Sequence, residues 1–148
     1  MIMRLAHRTR VRKGATIKTH ILIVDDNELD RDLLRMVLQF NGYDVSAAGN
    51  GVEALAVAKS RRPDVIVSDV AMPKMDGFVL CHNWMHDAEL RTIPFIFYSA
   101  NLTLAEDAHV GKALGAARYL IKPMQQEGFL QELRSVLQER GGPSRPLT

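Results

Sequence analysis

Five short, largely apolar runs, each followed by a segment with helical spacing, constrain the fold of this chain more than any other feature. The runs cover residues 20–24, 43–47, 64–68, 94–98 and 118–121. They are rich in aliphatic, β-branched and aromatic side chains, which is typical of strands buried on both faces of a sheet. Strands that alternate with helices predict an α/β fold with a parallel sheet and right-handed crossovers.

The segments between these runs predict the helices. The first has apolar side chains at helical spacing: Leu29, Leu33, Met36, Val37 and Phe40. Asn41 and Gly42 supply its stop. A second helix is predicted over residues 51–60, with Val52, Leu55 and Ala56 on one face. Helices over residues 78–87 and 104–114, and a last helix that ends near residue 140, complete the alternation.

Length and composition limit the alternatives. The 148 residues suit one domain, and no apolar run approaches the roughly 20 residues of a membrane-spanning helix. The single cysteine, Cys81, cannot form an internal disulfide, which favours a cytoplasmic protein. Cys81 and Trp84 are predicted to lie in the core. His82, His86 and His109 lack the pattern of a metal site and are predicted to have surface or packing roles.

The charge is divided unevenly between the start of the chain and the rest. Six of the 19 Lys and Arg residues lie within residues 1–20, which hold no acid, so 13 basic and 17 acidic groups remain beyond them. We therefore divide the chain into a basic flexible leader (1–19), a folded domain (20–140) and a flexible tail or linker start (141–148). The leader has no interleaved aromatic residues and no apolar helical face. We predict no membrane partner and no nucleic-acid partner for this chain alone.

Polar side chains directly follow four of the predicted strands. Asp25 and Asp26 follow the first strand, Asp69 the third, Ser99 the fourth and Lys122 the fifth. Because ligands of an open parallel sheet bind at the carboxyl ends of its strands, we expect these groups to meet at one rim. Each residue alone is commonplace in a loop or helix cap. Their joint placement is the informative observation.

Three neighbouring carboxylates repel one another, so the rim requires a cation to keep them all ionised. Ligands that are all oxygen atoms, with room for water, suit Mg²⁺. A carboxylate beside Mg²⁺ can attack a phosphoryl group and form an aspartyl phosphate. The transferring oxygens then require positive charge, which Lys122 can supply, and a donor such as the Ser99 hydroxyl.

Four motifs at these positions resemble the receiver domains of two-component response regulators, the CheY-like family. They are ILIVDDN at 21–27, DVAMPKMDG at 69–77, YSA at 98–100 and YLIKP at 119–123. The resemblance extends over residues 20–140. It implies a flavodoxin-like (βα)5 doubly wound parallel sheet with strand order 2-1-3-4-5 in a single domain.

The resemblance also implies a role for each residue of the rim. Asp69 corresponds to the phosphoacceptor, and Lys122 to the lysine that pairs with the phosphoryl group and with Asp69. Asp26 corresponds to a direct ligand of Mg²⁺ and Asp25 to a ligand through water. The backbone carbonyl of Ala71 completes the protein ligands of the metal.

A switch is implied as well. Ser99 corresponds to the hydroxyl residue that moves toward the phosphate, and Tyr119 to the aromatic residue that turns inward in response. The surface of the fourth helix, fifth strand and fifth helix changes with them. The Lys122–Pro123 peptide bond is expected to be cis. The positions of Ala71 and Asn101 tune the phosphate lifetime in this family.

The implied partner is a histidine kinase or a phosphotransfer protein, and the family also uses the helix 4–strand 5–helix 5 face for homodimers. Such a chain is no enzyme beyond catalysing its own phosphorylation and dephosphorylation. It is either a stand-alone receiver or one excised from a larger signalling protein. The downstream effector is not specified by the sequence.

Three rival functions are weighed against this one. A phosphohydrolase with an aspartyl nucleophile would carry Asp-x-Asp after the first strand, whereas Asp25 and Asp26 are adjacent. A nucleotide-binding module would have a Gly-rich loop there, where this chain has acids. A receiver used only for docking is disfavoured because all the acids and Lys122 are present.

Overall fold

A computed structural model of the chain describes residues 9–12, 15–100 and 104–141. Two short antiparallel strands come first, followed by five strands that form a parallel sheet. The seven strands are β1 (Thr9–Arg12), β2 (Ala15–Lys18), β3 (His20–Val24), β4 (Asp44–Ala48), β5 (Val65–Ser68), β6 (Phe95–Ser99) and β7 (Arg118–Ile121). The parallel sheet has the order β4-β3-β5-β6-β7. Counted within that sheet alone, this is the predicted order 2-1-3-4-5.

A helix follows each strand of the parallel sheet within the described residues. The helices are α1 (Glu28–Phe40), α2 (Gly51–Ser60), α3 (Gly77–Met85), α4 (Leu104–Leu114) and α5 (Gln126–Gly141). The side chains of Asn27, Asn50 and Asp76 cap α1, α2 and α3 by accepting hydrogen bonds from backbone N–H groups of the first turn. Gly42 and Gly115, which follow α1 and α4, have φ values of 91° and 107°, a region that favours glycine.

The core lies on both faces of the parallel sheet, as the continuous apolar runs predicted. Along β3, Leu22 and Val24 pack on one side while Ile21 and Ile23 pack on the other. This alternation follows from the two-residue period of a strand. The fold class is therefore confirmed: a doubly wound α/β sheet with helices on both faces.

Cys81 and Trp84 both lie in the core, as predicted, and are fully buried. The indole N–H of Trp84 donates a hydrogen bond to the Ile93 carbonyl at 3.1 Å, so burial leaves no polar atom of this side chain unpaired. Burial raises the pKa of the Cys81 thiol to about 12, which keeps it protonated and unreactive at neutral pH. His82, His86 and His109 are exposed.

Two helices bury a different face from the one their spacing suggested. In α1, Leu38 is the buried side chain, whereas the predicted stripe is largely exposed, from 51% at Leu33 to 88% at Phe40. In α2 the buried residues are Gly51, Ala54 and Ala58; of the predicted face, Leu55 packs against the core, whereas Val52 and Ala56 are exposed. Apolar spacing predicts a helix but does not determine which side meets the sheet when apolar residues occupy much of its circumference.

The leader contains structure that its sequence pattern did not predict. Thr9–Arg12 pairs with Ala15–Lys18 in an antiparallel hairpin, and Lys18 lies opposite Thr9. The segment contains β-branched residues, which favour strands, but its basic charge favoured a flexible leader. Residues 1–8 and 13–14 lie outside the described residues, as do residues 142–148 of the predicted tail. The flexibility of the leader and tail and the domain limits stay predictions.

No described helix combines the length and apolar character needed to cross a membrane.

His20 is a buried titratable residue at the start of β3. Its Nδ1 atom lies 3.2 Å from the Arg62 carbonyl, and Nε2 lies 2.7 Å from Ser46 Oγ. Its backbone N–H donates to the Asp64 carboxylate at 2.8 Å. Burial disfavours the charged ring and lowers the pKa of His20, although its hydrogen bond to the Arg62 carbonyl opposes the shift.

We expect the free energy of unfolding to fall as the pH drops below about 6.5, the ordinary pKa of histidine in an unfolded chain. The unfolded chain then gains a proton that folded His20 takes up only at lower pH. His20 contributes at most about 1.4 kcal/mol per pH unit to the slope of the free energy of unfolding against pH. Urea unfolding at several pH values measures it. His20→Gln should flatten the slope, whereas His109→Gln at an exposed position should not; equal slopes in all three proteins would contradict this prediction.

Candidate functional site

Hydrogen bonds between neighbouring chain segments continue past the ends of the parallel strands and bring the predicted residues together. The Asp69 N–H donates to the Val24 carbonyl at 2.9 Å, which places Asp69 beside the end of β3, where Asp25 follows. The Lys122 N–H donates to the Ser99 carbonyl at 2.9 Å. The carboxyl ends of β3, β5, β6 and β7 thus meet at one rim, as the sequence predicted.

Asp25, Asp26 and Asp69 form a carboxylate cluster. Each offers an oxygen atom, and the three atoms lie within 4.8 Å of one another. Asp25 is buried, Asp69 is partly buried and Asp26 is exposed. One Asp25 oxygen accepts the Asn27 N–H at 2.9 Å and the other accepts from Lys122 at 2.7 Å. No hydrogen bond or ion pair joins Asp26 to another residue of the described chain.

Lys122 places its ammonium group inside this cluster. Its Nζ atom lies 2.7 Å from Asp25 Oδ2 and 3.5 Å from Asp69 Oδ2. Lys122 is therefore closer to Asp25 than to Asp69, whereas the resemblance implied a pairing with Asp69. Its side chain is only 16% exposed. Burial disfavours the ammonium, but the hydrogen bond to Asp25 and the neighbouring negative charges outweigh it and raise the pKa of Lys122. Lys122 therefore stays charged at neutral pH.

The backbone around Asp69 is tightly held. Asp69 Oδ1 accepts the Val70 N–H at 2.7 Å, and the Ser68 hydroxyl donates to the Asp69 carbonyl at 2.8 Å. The Gly77 N–H donates to the Val70 carbonyl at 2.7 Å. A Cβ atom on Gly77 would lie 2.1 Å from the Asp69 carbonyl oxygen. The start of α3 therefore packs directly against the backbone of Asp69, and only glycine leaves room for that approach.

Ser99 and Tyr119 lie on the side of the rim that faces α4. Ser99 is buried, and the Tyr119 hydroxyl is buried near it. The Tyr119 hydroxyl makes no hydrogen bond of normal geometry to the described residues. Burial, together with the negative charge of Asp107, raises the pKa of Tyr119. The ring centroid of Tyr119 lies 5.6 Å from that of Phe97.

Most of the predicted site is thus assembled in one place. The Lys122–Pro123 bond is cis, as the resemblance implied. Ala71 is exposed in the loop after Asp69, and its carbonyl stays a predicted ligand. Asn101 lies outside the described residues.

Three further residues contact the site, and the sequence did not predict a role for them there. Arg31 Nη1 donates to the Asp25 carbonyl at 2.8 Å. Asp30 Oδ2 lies 3.5 Å from Lys122 Nζ, and the Tyr98 ring centroid lies 5.5 Å from it. Asp30 and Arg31 lie in the first turn of α1, which returns toward the rim. The start of a helix directly after the acidic residues Asp25 and Asp26 is the sequence signal that could have predicted Asp30 and Arg31.

Comparison with known proteins decides the family. The model of the response regulator receiver domain matches residues 21–134 of this chain. The chain is a response regulator receiver domain. Response regulator MprA of Mycobacterium sp. (strain KMS) is 37% identical to this receiver over 129 residues, which cover 85% of this chain and 55% of that protein. MprA of Mycobacterium avium (strain 104) is 39% identical over 117 residues, 79% of this chain and 50% of that protein. The receiver thus spans about half the length of these curated relatives.

Solved structures agree with this assignment. Chemotaxis protein CheY4 of Vibrio cholerae is 37% identical with a TM-score of 0.75, and the match covers 80% of this receiver and 98% of that chain. The signal receiver domain of a histidine kinase from Syntrophus aciditrophicus is 33% identical with a TM-score of 0.76, covering 84% of this receiver and 92% of that chain. Receiver domains are signalling modules of two-component systems, so this chain belongs to that class rather than to metabolic enzymes.

Proposed function

We propose that this receiver takes a phosphoryl group on Asp69. One observation carries the proposal: the Asp69 carboxylate lies at the rim between a lysine ammonium 3.5 Å away and two further carboxylates. An Asp69 oxygen would attack the phosphorus of a phosphohistidine. The P–O bond forms as the P–N bond breaks, and the imidazole leaves with a proton.

Magnesium fits the donor set of this rim. The three closest groups are all carboxylate oxygens within 4.8 Å of one another, which is the chemistry that hard divalent cations prefer. Asp26, which has no partner among the described residues, and Asp69 would hold the ion directly, with the Ala71 carbonyl. Asp25 would act through water, as the resemblance implies, while its two oxygens accept hydrogen bonds from the Asn27 N–H and from Lys122. When bound, Mg²⁺ supplies positive charge that offsets the charge on the phosphoryl oxygens.

Lys122 and Ser99 would stabilise the phosphorylated state. The Lys122 ammonium already lies between Asp25 and Asp69, so a small movement brings it to a phosphoryl oxygen on Asp69. The Ser99 hydroxyl would donate a hydrogen bond to another oxygen. Ser99 is the last residue of β6, and Lys122 directly follows the neighbouring strand β7 and donates its N–H to the Ser99 carbonyl at 2.9 Å, so the end of the sheet positions both.

The response to phosphorylation is proposed to pass through Ser99 and Tyr119 to the surface of α4, β7 and α5. Movement of Ser99 changes the space beside the buried Tyr119 hydroxyl, and α4 packs over that ring through Gly111, whose Cβ would lie 3.2 Å from it. Hydrogen exchange of α4 and β7 amides with and without phosphorylation tests this switch. Unchanged exchange would exclude it.

A histidine kinase or phosphotransfer protein is the proposed donor, and the proposed location is the cytoplasm. The receiver would act on no substrate other than its own aspartyl phosphate. The α4–β7–α5 face is the proposed surface for a homodimer. Sedimentation of the phosphorylated receiver tests that assembly. A homodimer should have twice the mass of the unphosphorylated monomer.

The proposed function is tested by labelling the receiver with a small phosphodonor such as acetyl phosphate. We expect an acid-stable, base-labile acyl phosphate that forms in Mg²⁺ and not in excess chelator. Asp26→Asn should weaken the binding of Mg²⁺, so that more metal is required for half-maximal labelling. The same labelling rate in chelator as in Mg²⁺ would contradict the proposed site.

A further inference from the structure

Tyr98 lies beside the site on the face of the sheet opposite to Ser99. The two residues are adjacent at the end of β6, and neighbouring residues of a strand point to opposite faces. Ser99 therefore faces α4, whereas Tyr98 lines a groove of about 430 Å³ next to α1 and α5. Lys122 lines the same groove, so the phenol ring and the ammonium group share one space.

Three contacts hold the Tyr98 ring in that groove. The Lys122 Nζ atom lies 5.5 Å from the ring centroid, within the range of a cation–π contact. The Tyr98 hydroxyl accepts the Met124 N–H at 3.3 Å, two residues beyond Lys122. The ring of Phe129 packs against Tyr98 with a centroid distance of 4.8 Å. Tyr98 thus contacts both the ammonium and the backbone that follows it.

Lys122 requires such a support because three carboxylates attract its ammonium from different directions. Asp25 lies at 2.7 Å, and Asp69 and Asp30 each lie at 3.5 Å. Asp30 stands on the more exposed side, and its side chain is 48% exposed. A flexible four-carbon stem allows the ammonium to turn toward any of them. An aromatic face that attracts the cation limits this freedom.

We propose that Tyr98 is a positioning residue for Lys122. Its ring holds the ammonium between Asp25 and Asp69, and its hydroxyl fixes the backbone after Lys122. An aliphatic side chain would fill the same groove but would offer the cation no attraction. The inference rests on the proposed phosphorylation of Asp69, because only then does the position of Lys122 control a reaction.

The test compares Tyr98→Leu, which removes the aromatic face, with Tyr98→Phe, which keeps it and loses only the hydroxyl. We expect the maximal rate of labelling by acetyl phosphate to fall about fivefold to tenfold in Tyr98→Leu and by no more than about twofold in Tyr98→Phe. The Mg²⁺ concentration for half-maximal labelling should stay within about twofold of the parent value, since no carboxylate changes. Val37→Ala, in the wall of the same groove, is the matched control and should label at the parent rate.

Proton NMR of the Lys122 side chain separates positioning from a general structural effect. A ring close to the ε-methylene group shifts its protons upfield, so the shift should be present in the parent and in Tyr98→Phe and absent in Tyr98→Leu. Parent-rate labelling of Tyr98→Leu would overturn the inference while leaving the proposed function intact. An equal loss in Val37→Ala would also overturn it, because groove packing would then explain the effect. If the parent itself is not labelled, the proposed function fails first.

Discussion

Replacing Asp69 with asparagine is expected to abolish labelling by acetyl phosphate, a loss of at least about a thousandfold, because a neutral amide is not the nucleophile that a carboxylate is. The fold should survive. The amide side chain of this variant would keep an oxygen for the Val70 N–H, which now donates to Asp69 at 2.7 Å, and one charge would leave a crowded cluster. We expect the free energy of unfolding to stay within about 1 kcal/mol of the parent value.

Asp76→Asn is the matched control for this substitution. Asp76 lies in the same loop and caps α3 by accepting the Val79 N–H at 2.9 Å, a role that asparagine performs equally well. This variant should label at the parent rate. Mass spectrometry of freshly labelled protein, with base treatment to remove acyl phosphate, measures the labelling of both variants. Persistent base-labile phosphate on Asp69→Asn would show that another carboxylate accepts the phosphoryl group, and Asp26 would be the first to examine.

Gly77→Ala is expected to have the largest effect on stability of any single methyl group added near the site. The new Cβ would lie 2.1 Å from the Asp69 carbonyl oxygen and 2.9 Å from Val70 Cα, both backbone atoms that cannot turn away. Either α3 or the acceptor loop must shift. We expect a loss of about 2–3 kcal/mol in the free energy of unfolding, and labelling slower by about a hundredfold because Asp69 is displaced.

Gly49→Ala provides the control for adding a methyl group close to the same rim. Its Cβ would meet only the side-chain ends of Arg31 and Glu53 at 3.6 Å, which is ordinary contact. Its stability and labelling rate should match those of the parent. Urea unfolding and acetyl phosphate labelling of both variants give the comparison. Parent-like behaviour of Gly77→Ala would show that the approach of α3 to Asp69 is looser than the structure describes.

The fold was largely predictable because its signals are local and repeated. Residues 21–24 and 119–121, for example, are continuous apolar stretches, which is typical of strands in a sheet covered on both faces. The helical faces were less predictable. Leu33 and Phe40 stand at helical spacing yet are exposed, because both sides of α1 carry apolar groups and the sheet covers only one. The leader hairpin was missed because the basic charge of the segment was given more weight than its strand propensity.

The sequence by itself determined the rim that carries Asp69: acids after β3 and β5 and a lysine after β7 must meet once the strands are parallel and adjacent, because strand ends align in such a sheet. Only the tertiary structure decided the distances within that rim. It places Lys122 nearer to Asp25 than to Asp69, leaves Asp26 with no partner among the described residues and brings Tyr98 against the ammonium. Those contacts join residues far apart in the chain. They depend on how side chains from separate elements pack, which spacing along one segment does not encode.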